Sequence, residues 1–107
     1  MSQTVPEPLT LTPPLTIRSI DGLHARLLAP LQAGRSVVLE IETEADCDLS
    51  VLQLLEAARR YARERGVSLT LSNPVGARIR ETLGRAGFLS DMDADASRFW
   101  FHRKDVQ

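Results

Sequence analysis

At 107 residues the chain fits one domain, and a chain of this size buries roughly two-thirds of its unfolded surface without a disulfide or metal staple. A formal net charge of -1 provides no global attraction to nucleic acid, and no apolar run approaches the ~20 residues of a membrane span, so direct membrane insertion is not expected. A single cysteine, Cys47, excludes an intrachain disulfide framework, and the polar opening makes the cytoplasm the expected location.

Residues 1–8, MSQTVPEP, read as a flexible tail, because so polar and proline-punctuated a stretch buries too little apolar area to offset its ordering entropy. LTLT at 9–12 alternates like a short strand, and the prolines at 13 and 14 remove backbone donors, which predicts an edge position. From Thr16 the apolar residues Ile17, Ile20, Leu23, Leu27, Leu28 and Leu31 recur at helical spacing, with Gly34 placed to end the helix. Gly22 weakens that helix by about 1 kcal/mol relative to alanine, and Pro30 predicts a kink or an end.

SVVLEIE at 36–42 is rich in β-branched and aliphatic residues and predicts a central strand. Alternation then continues, with Ile41, Thr43, Ala45 and Cys47 on one side and Glu40, Glu42, Glu44, Asp46 and Asp48 on the other, so an extended segment is expected as far as Asp48. A second helix follows, capped by Asp48 and stopped by Gly66. Its inward stripe is Val51, Leu54, Leu55, Ala58, Tyr61 and Ala62, and Gln53, Glu56, Arg59, Arg60 and Arg63 are expected to face outward. Residues 67–72 predict another strand. Pro74 is expected to start a helix along Val75, Ile79, Leu83 and Ala86, ended by Gly87. RFWFH at 98–102 predicts a last strand, with Trp100 opposite Phe99 and Phe101, and residues 104–107 a flexible tail. The alternation implies a single α/β domain over residues 9–103, with a mixed, mostly parallel sheet of about four to five strands and about three to four helices.

In order and spacing, VVLEIE at 37–42, DLSVLQLL at 48–55, SLTLSNP at 68–74 and ARIRETLGRAGF at 77–88 resemble the STAS domains of bacterial anti-sigma-factor antagonists and sulphate transporters. The resemblance covers about residues 9–89 and places Asp48 on the family's aspartate, Leu49 on its first serine or threonine, Ser50 on the second and Val51 on its glycine. It implies a non-enzymatic, bacterial protein-binding module with no cofactor, in which Ser50 is the phosphoacceptor of a partner kinase. The implied docking residues are Asp46, Asp48, Leu49, Ser50, Val51 and Gln53, facing an anti-sigma factor of the serine-kinase type. The alternative it implies is the STAS subunit of a phospholipid-transport ABC system, which docks on the transporter ATPase without needing a phosphoserine. Val51 departs from the pattern, since glycine there lets a partner's backbone approach closely.

A phosphate at a helix N-terminus gains roughly 0.3–1 kcal/mol from the macrodipole. One carboxylate at ~4 Å repels a unit charge by about 1 kcal/mol even in bulk water. With Glu42, Glu44 and Asp46 near Asp48, the family's aspartate, the two effects are comparable, so a phosphate on Ser50 is expected to act as a repulsive switch against an acidic or flush-packing partner rather than as an internally stabilised group.

The acids at 40–48 could serve as oxygen ligands for a divalent ion, but they spread along the chain, and a solvated or docking face is the favoured reading, with no metal expected. Residues 91–102 begin like a calcium loop and then fail, with Ala96 where glycine and His102 where a bidentate glutamate are required. RRYARER at 59–65 lies in the last turns of a helix, where cations complement the carbonyl end, so a solvated face is favoured over nucleic-acid binding. Cys47 reads as a small buried hydrophobe. A nucleotide-binding or enzymatic role would call for a glycine-rich phosphate loop that the sequence lacks.

Overall fold

The computed structural model describes residues 6–13, 15–90 and 92–102. Three strands, β1 (Glu7–Leu11), β2 (Val37–Ile41) and β3 (Leu69–Leu71), form one parallel sheet in the order β1-β2-β3. A 3-10 turn at Ile17–Ser19 leads into α1 (Ile20–Gln32), and α2 (Leu49–Glu64), α3 (Ala77–Arg85) and α4 (Ala94–Phe101) complete the described elements. Sequential strand order with right-handed crossovers carries α1 and α2 to the same face of the sheet. Leu11, Val37, Leu39, Leu69 and Leu71 point into that buried face, while Thr10, Glu40 and Thr70 on the other face are exposed. The shortest principal extent, 21 Å, is that of one sheet layer and one helix layer.

The expected central and edge strands are found at β2 and β1. Pairing at the edge is blunted: Glu7 donates to the Ser36 carbonyl at 2.8 Å, which turns the backbone groups of Pro8 and Thr10 outward, where Pro8 has no N–H and Arg26 Nη2 occupies the Thr10 carbonyl at 2.8 Å. β1 begins inside the stretch expected as a tail; residues 1–5 of that stretch and the expected tail at 104–107 lie outside the described residues. Gly34, Gly66 and Gly87 stop α1, α2 and α3 as expected, each at positive φ. Pro30 is accommodated inside α1, which runs two residues past it.

Several expectations are corrected. The sheet has three described strands rather than four to five, because residues 98–102 do not form a strand. Asp93 accepts the Ala96 N–H at 2.8 Å and starts a helix whose Ala96, Phe99 and Trp100 recur at i, i+3 and i+4. Phe99 and Trp100 therefore share the core, their rings edge-on at 4.8 Å, instead of pointing to opposite faces. Glu56 and Arg59, expected on the outer face of α2, are tucked beneath α4, with side chains 14% and 11% exposed. Glu56 Oε2 accepts the Trp100 indole N–H at 2.8 Å and Oε1 accepts Arg59 Nη2 at 2.7 Å.

The segment after β2 is not continuously extended. Ala45 donates to the Glu42 carbonyl at 3.0 Å and closes a turn that leaves Thr43 exposed; beyond it the alternation resumes, with Ala45 and Cys47 buried and Glu44 and Asp46 outside. Pro74 does not start α3 either. Gly76 is its N-cap, and it has to be glycine, since a Cβ there would lie 1.9 Å from the Thr43 carbonyl oxygen. Ile17, expected in the apolar stripe of the first helix, sits in the 3-10 turn and is 61% exposed.

Candidate functional site

The first turn of α2 is assembled around one carboxylate. Asp48 has the extended backbone of an N-cap (φ -93°, ψ 176°), and its Oδ1 accepts the Val51 N–H at 3.3 Å and the Ser50 hydroxyl at 2.6 Å. Oδ2 accepts the Ile17 N–H at 2.8 Å, across 31 residues of sequence. The backbone draws the same two segments together, since Leu15 bridges Cys47 and the Asp48 N–H reaches the Leu15 carbonyl at 3.1 Å. The Ser50 hydroxyl, aided by the backbone N–H groups of Ile17, Val51 and Ser50, holds the Asp48 carboxyl below its ordinary range against a smaller opposing effect of burial.

A second carboxylate ties the loop to α3. Asp46 Oδ1 accepts the Cys47 N–H at 2.8 Å and the Thr82 hydroxyl at 2.9 Å, and Arg85 Nη2 lies 3.4 Å from the same hydroxyl oxygen. Thr16, Asp46, Cys47, Asp48, Leu49, Thr82 and Arg85 line a cleft of about 420 Å³. Burial pushes the Cys47 thiol up to about 12, with Asp46 and then Asp48 adding to the effect. The thiol stays protonated and inert, in keeping with a small core hydrophobe.

The six residues expected at a docking surface divide by burial. Asp46, Leu49 and Gln53 are exposed, Asp48 and Ser50 are half-buried, and Val51 is fully buried. Val51 is therefore corrected from the surface to the core: it lies on the inward stripe of α2, and its β-branched bulk does not project toward a partner. Sequence reasoning missed Ile17, Thr82 and Arg85. Only Thr82 carried a signal, a polar residue next to Leu83 and three after Ile79 on the buried stripe of α3, 8% exposed in the fold.

Leu49, 47% exposed, and Ile17 are two of the three large apolar side chains exposed among the described residues, and Asp48 joins them through its backbone link to Leu49 and its hydrogen bond to the Ile17 N–H. The arrangement presents an oriented hydroxyl and the exposed Leu49 at an acidic rim. Among the described residues no three metal-ligating side chains converge, and no helix is long and apolar enough to cross a membrane. The family model of the STAS domain matches residues 3–102. No curated protein and no solved structure matches the chain.

Proposed function

This chain belongs to the STAS domain family, and from that premise we propose that its regulatory, protein-binding role is exercised through the loop and helix start at Asp46, Asp48, Leu49, Ser50 and Gln53, with Ile17 beside them. STAS domains are in general regulatory or protein-interaction modules. The observation that carries the reading is the start of α2, where the exposed Leu49 stands next to Ser50, whose hydroxyl donates to the Asp48 carboxylate at 2.6 Å. The partner is an anti-sigma factor or a related regulator of the serine-kinase type in a bacterial cytoplasm, and it supplies the nucleotide for phosphorylating Ser50. A phosphate there carries about -1.5 to -2 charges beside Asp48 and Asp46, and it weakens docking by repulsion and by bulk in a surface built to pack flush.

The test is affinity purification from the native cells with wild type, Ser50→Ala, Ser50→Glu and Leu49→Asp, each followed by mass spectrometry of the bait and the captured proteins. Wild type and Ser50→Ala should recover a kinase-type regulator, the other two should not, and the wild-type bait should contain a fraction heavier by one phosphate. Recovery of a transporter ATPase with an unmodified bait would instead assign the chain to the ABC-subunit role. Equal capture by wild type and Leu49→Asp would remove this surface from consideration.

A further inference from the structure

We infer that Asp48 is a clasp that couples Ser50 to the 3-10 turn at Ile17–Ser19, so that a negative charge placed on Ser50 Oγ releases the Ile17 N–H and loosens the start of the turn. The inference deepens the proposed function and rests on its reading of Ser50 as the switch. One carboxylate serves three donors: the Ser50 hydroxyl at 2.6 Å, the Ile17 N–H at 2.8 Å and the Val51 N–H at 3.3 Å. None of the three residues of the turn is buried; the nearest anchors are Leu15, which is buried and bridged to Cys47, and Ile20, the first residue of α1, which packs against the core. The internal conformation of the turn is secured by the Thr16 and Ser19 bonds, at 3.2 and 3.0 Å, so that the Ile17 N–H can lose its acceptor without the turn unravelling.

Phosphorylation converts the nearest of the three donors into a dianion. The hydroxyl hydrogen that faced Asp48 is lost, and the phosphate and the carboxylate then compete for the amides at the start of α2. The phosphate carries more charge and three acceptor oxygens, so it takes the helix end and the carboxylate turns away. Ile17 N–H loses its acceptor in that rotation.

The clasp is tested by amide hydrogen exchange at Ile17, read by nitrogen-15 NMR on the isolated protein with serine or phosphoserine incorporated at position 50. The expected result is exchange about tenfold or more faster in the phosphoserine form, the scale of one lost charge-assisted hydrogen bond. Ser50→Ala should leave Ile17 slow, because Asp48 keeps its other two donors. Asp48→Asn, in which asparagine remains a competent N-cap, should exchange fast at Ile17 whether or not position 50 carries phosphate. Equal exchange in the serine and phosphoserine forms would overturn the inference. So would fast exchange in Ser50→Ala, or a phosphate effect that persists in Asp48→Asn. Since no partner is present, failure here leaves the docking surface standing, and failure of the capture experiment leaves the clasp standing.

Discussion

Asp48 at the start of α2 and Glu56 in its middle solve the same problem in opposite ways. At the N-terminus Asp48 gathers a hydroxyl and two backbone N–H groups; two turns later Glu56 gathers the Trp100 indole and Arg59. Asp48 keeps its polar hub at the surface and leaves Leu49 and Ile17 in water, whereas Glu56 is covered by α4 and anchors a tryptophan with no exposed surface. The difference separates a hub that stabilises from a hub that presents. Around Glu56, burial makes every lost partner costly in folding. Around Asp48, solvent can replace a lost partner, and the consequence appears in what the surface can bind.

The comparison breaks most visibly at Trp100. Trp100→Ala removes the largest fully buried side chain and should cost about 3–5 kcal/mol in urea denaturation, enough to unfold the chain if its stability is ordinary. Glu56→Ala should cost less, about 1–3 kcal/mol by the same measurement, because it strands the indole N–H and the half-buried Arg59, whose Nε has no partner among the described residues. Asp48→Ala should cost about 0.5–2 kcal/mol as a lost N-cap, and Asp48→Asn much less.

Acid titration sharpens the same comparison. The Asp48 and Asp93 carboxyls are both held below their usual value of 3.8 in the fold, Asp48 chiefly by the Ser50 hydroxyl and Asp93 chiefly by the Ala96 N–H. A depressed folded pKa contributes stability that is fully present above the unfolded value and is lost as pH falls through the folded one. Denaturation midpoints should therefore decline below about pH 4, and Asp48→Asn should decline less steeply than wild type. Leu49→Asp should have the smallest effect on folding, within about 0.5 kcal/mol, while abolishing partner capture. A stability loss as large as that of Glu56→Ala would show that the start and the middle of α2 are not divided as described.

Much of this was legible in the chain. Asp48 reads as an N-cap because an acceptor side chain precedes an apolar helical stripe, and it is one. β2 reads as central because its residues are aliphatic and β-branched, and Gly34, Gly66 and Gly87 read as stops because each turn requires positive φ. The stretch 98–102 was not legible, since aromatics in so short a run satisfy a period of two as readily as a helical stripe. Nor was Ile17, whose spacing matches the stripe of α1 although the reciprocal bonds of Thr16 and Ser19 place it in a separate turn.

By itself, then, the sequence determined the order of strands and helices as far as α3 and the serine that follows an N-capping aspartate, because caps, periodicity and glycine stops act over a few residues, and its motifs together carried the resemblance to the family. Tertiary structure decided what those residues do together. It turned the last predicted strand into α4 by offering Trp100 a buried acceptor on α2, and brought Ile17 to Asp48 and Thr82 to Asp46. Each of those outcomes depends on a partner more than thirty residues away, and local sequence carries no record of it.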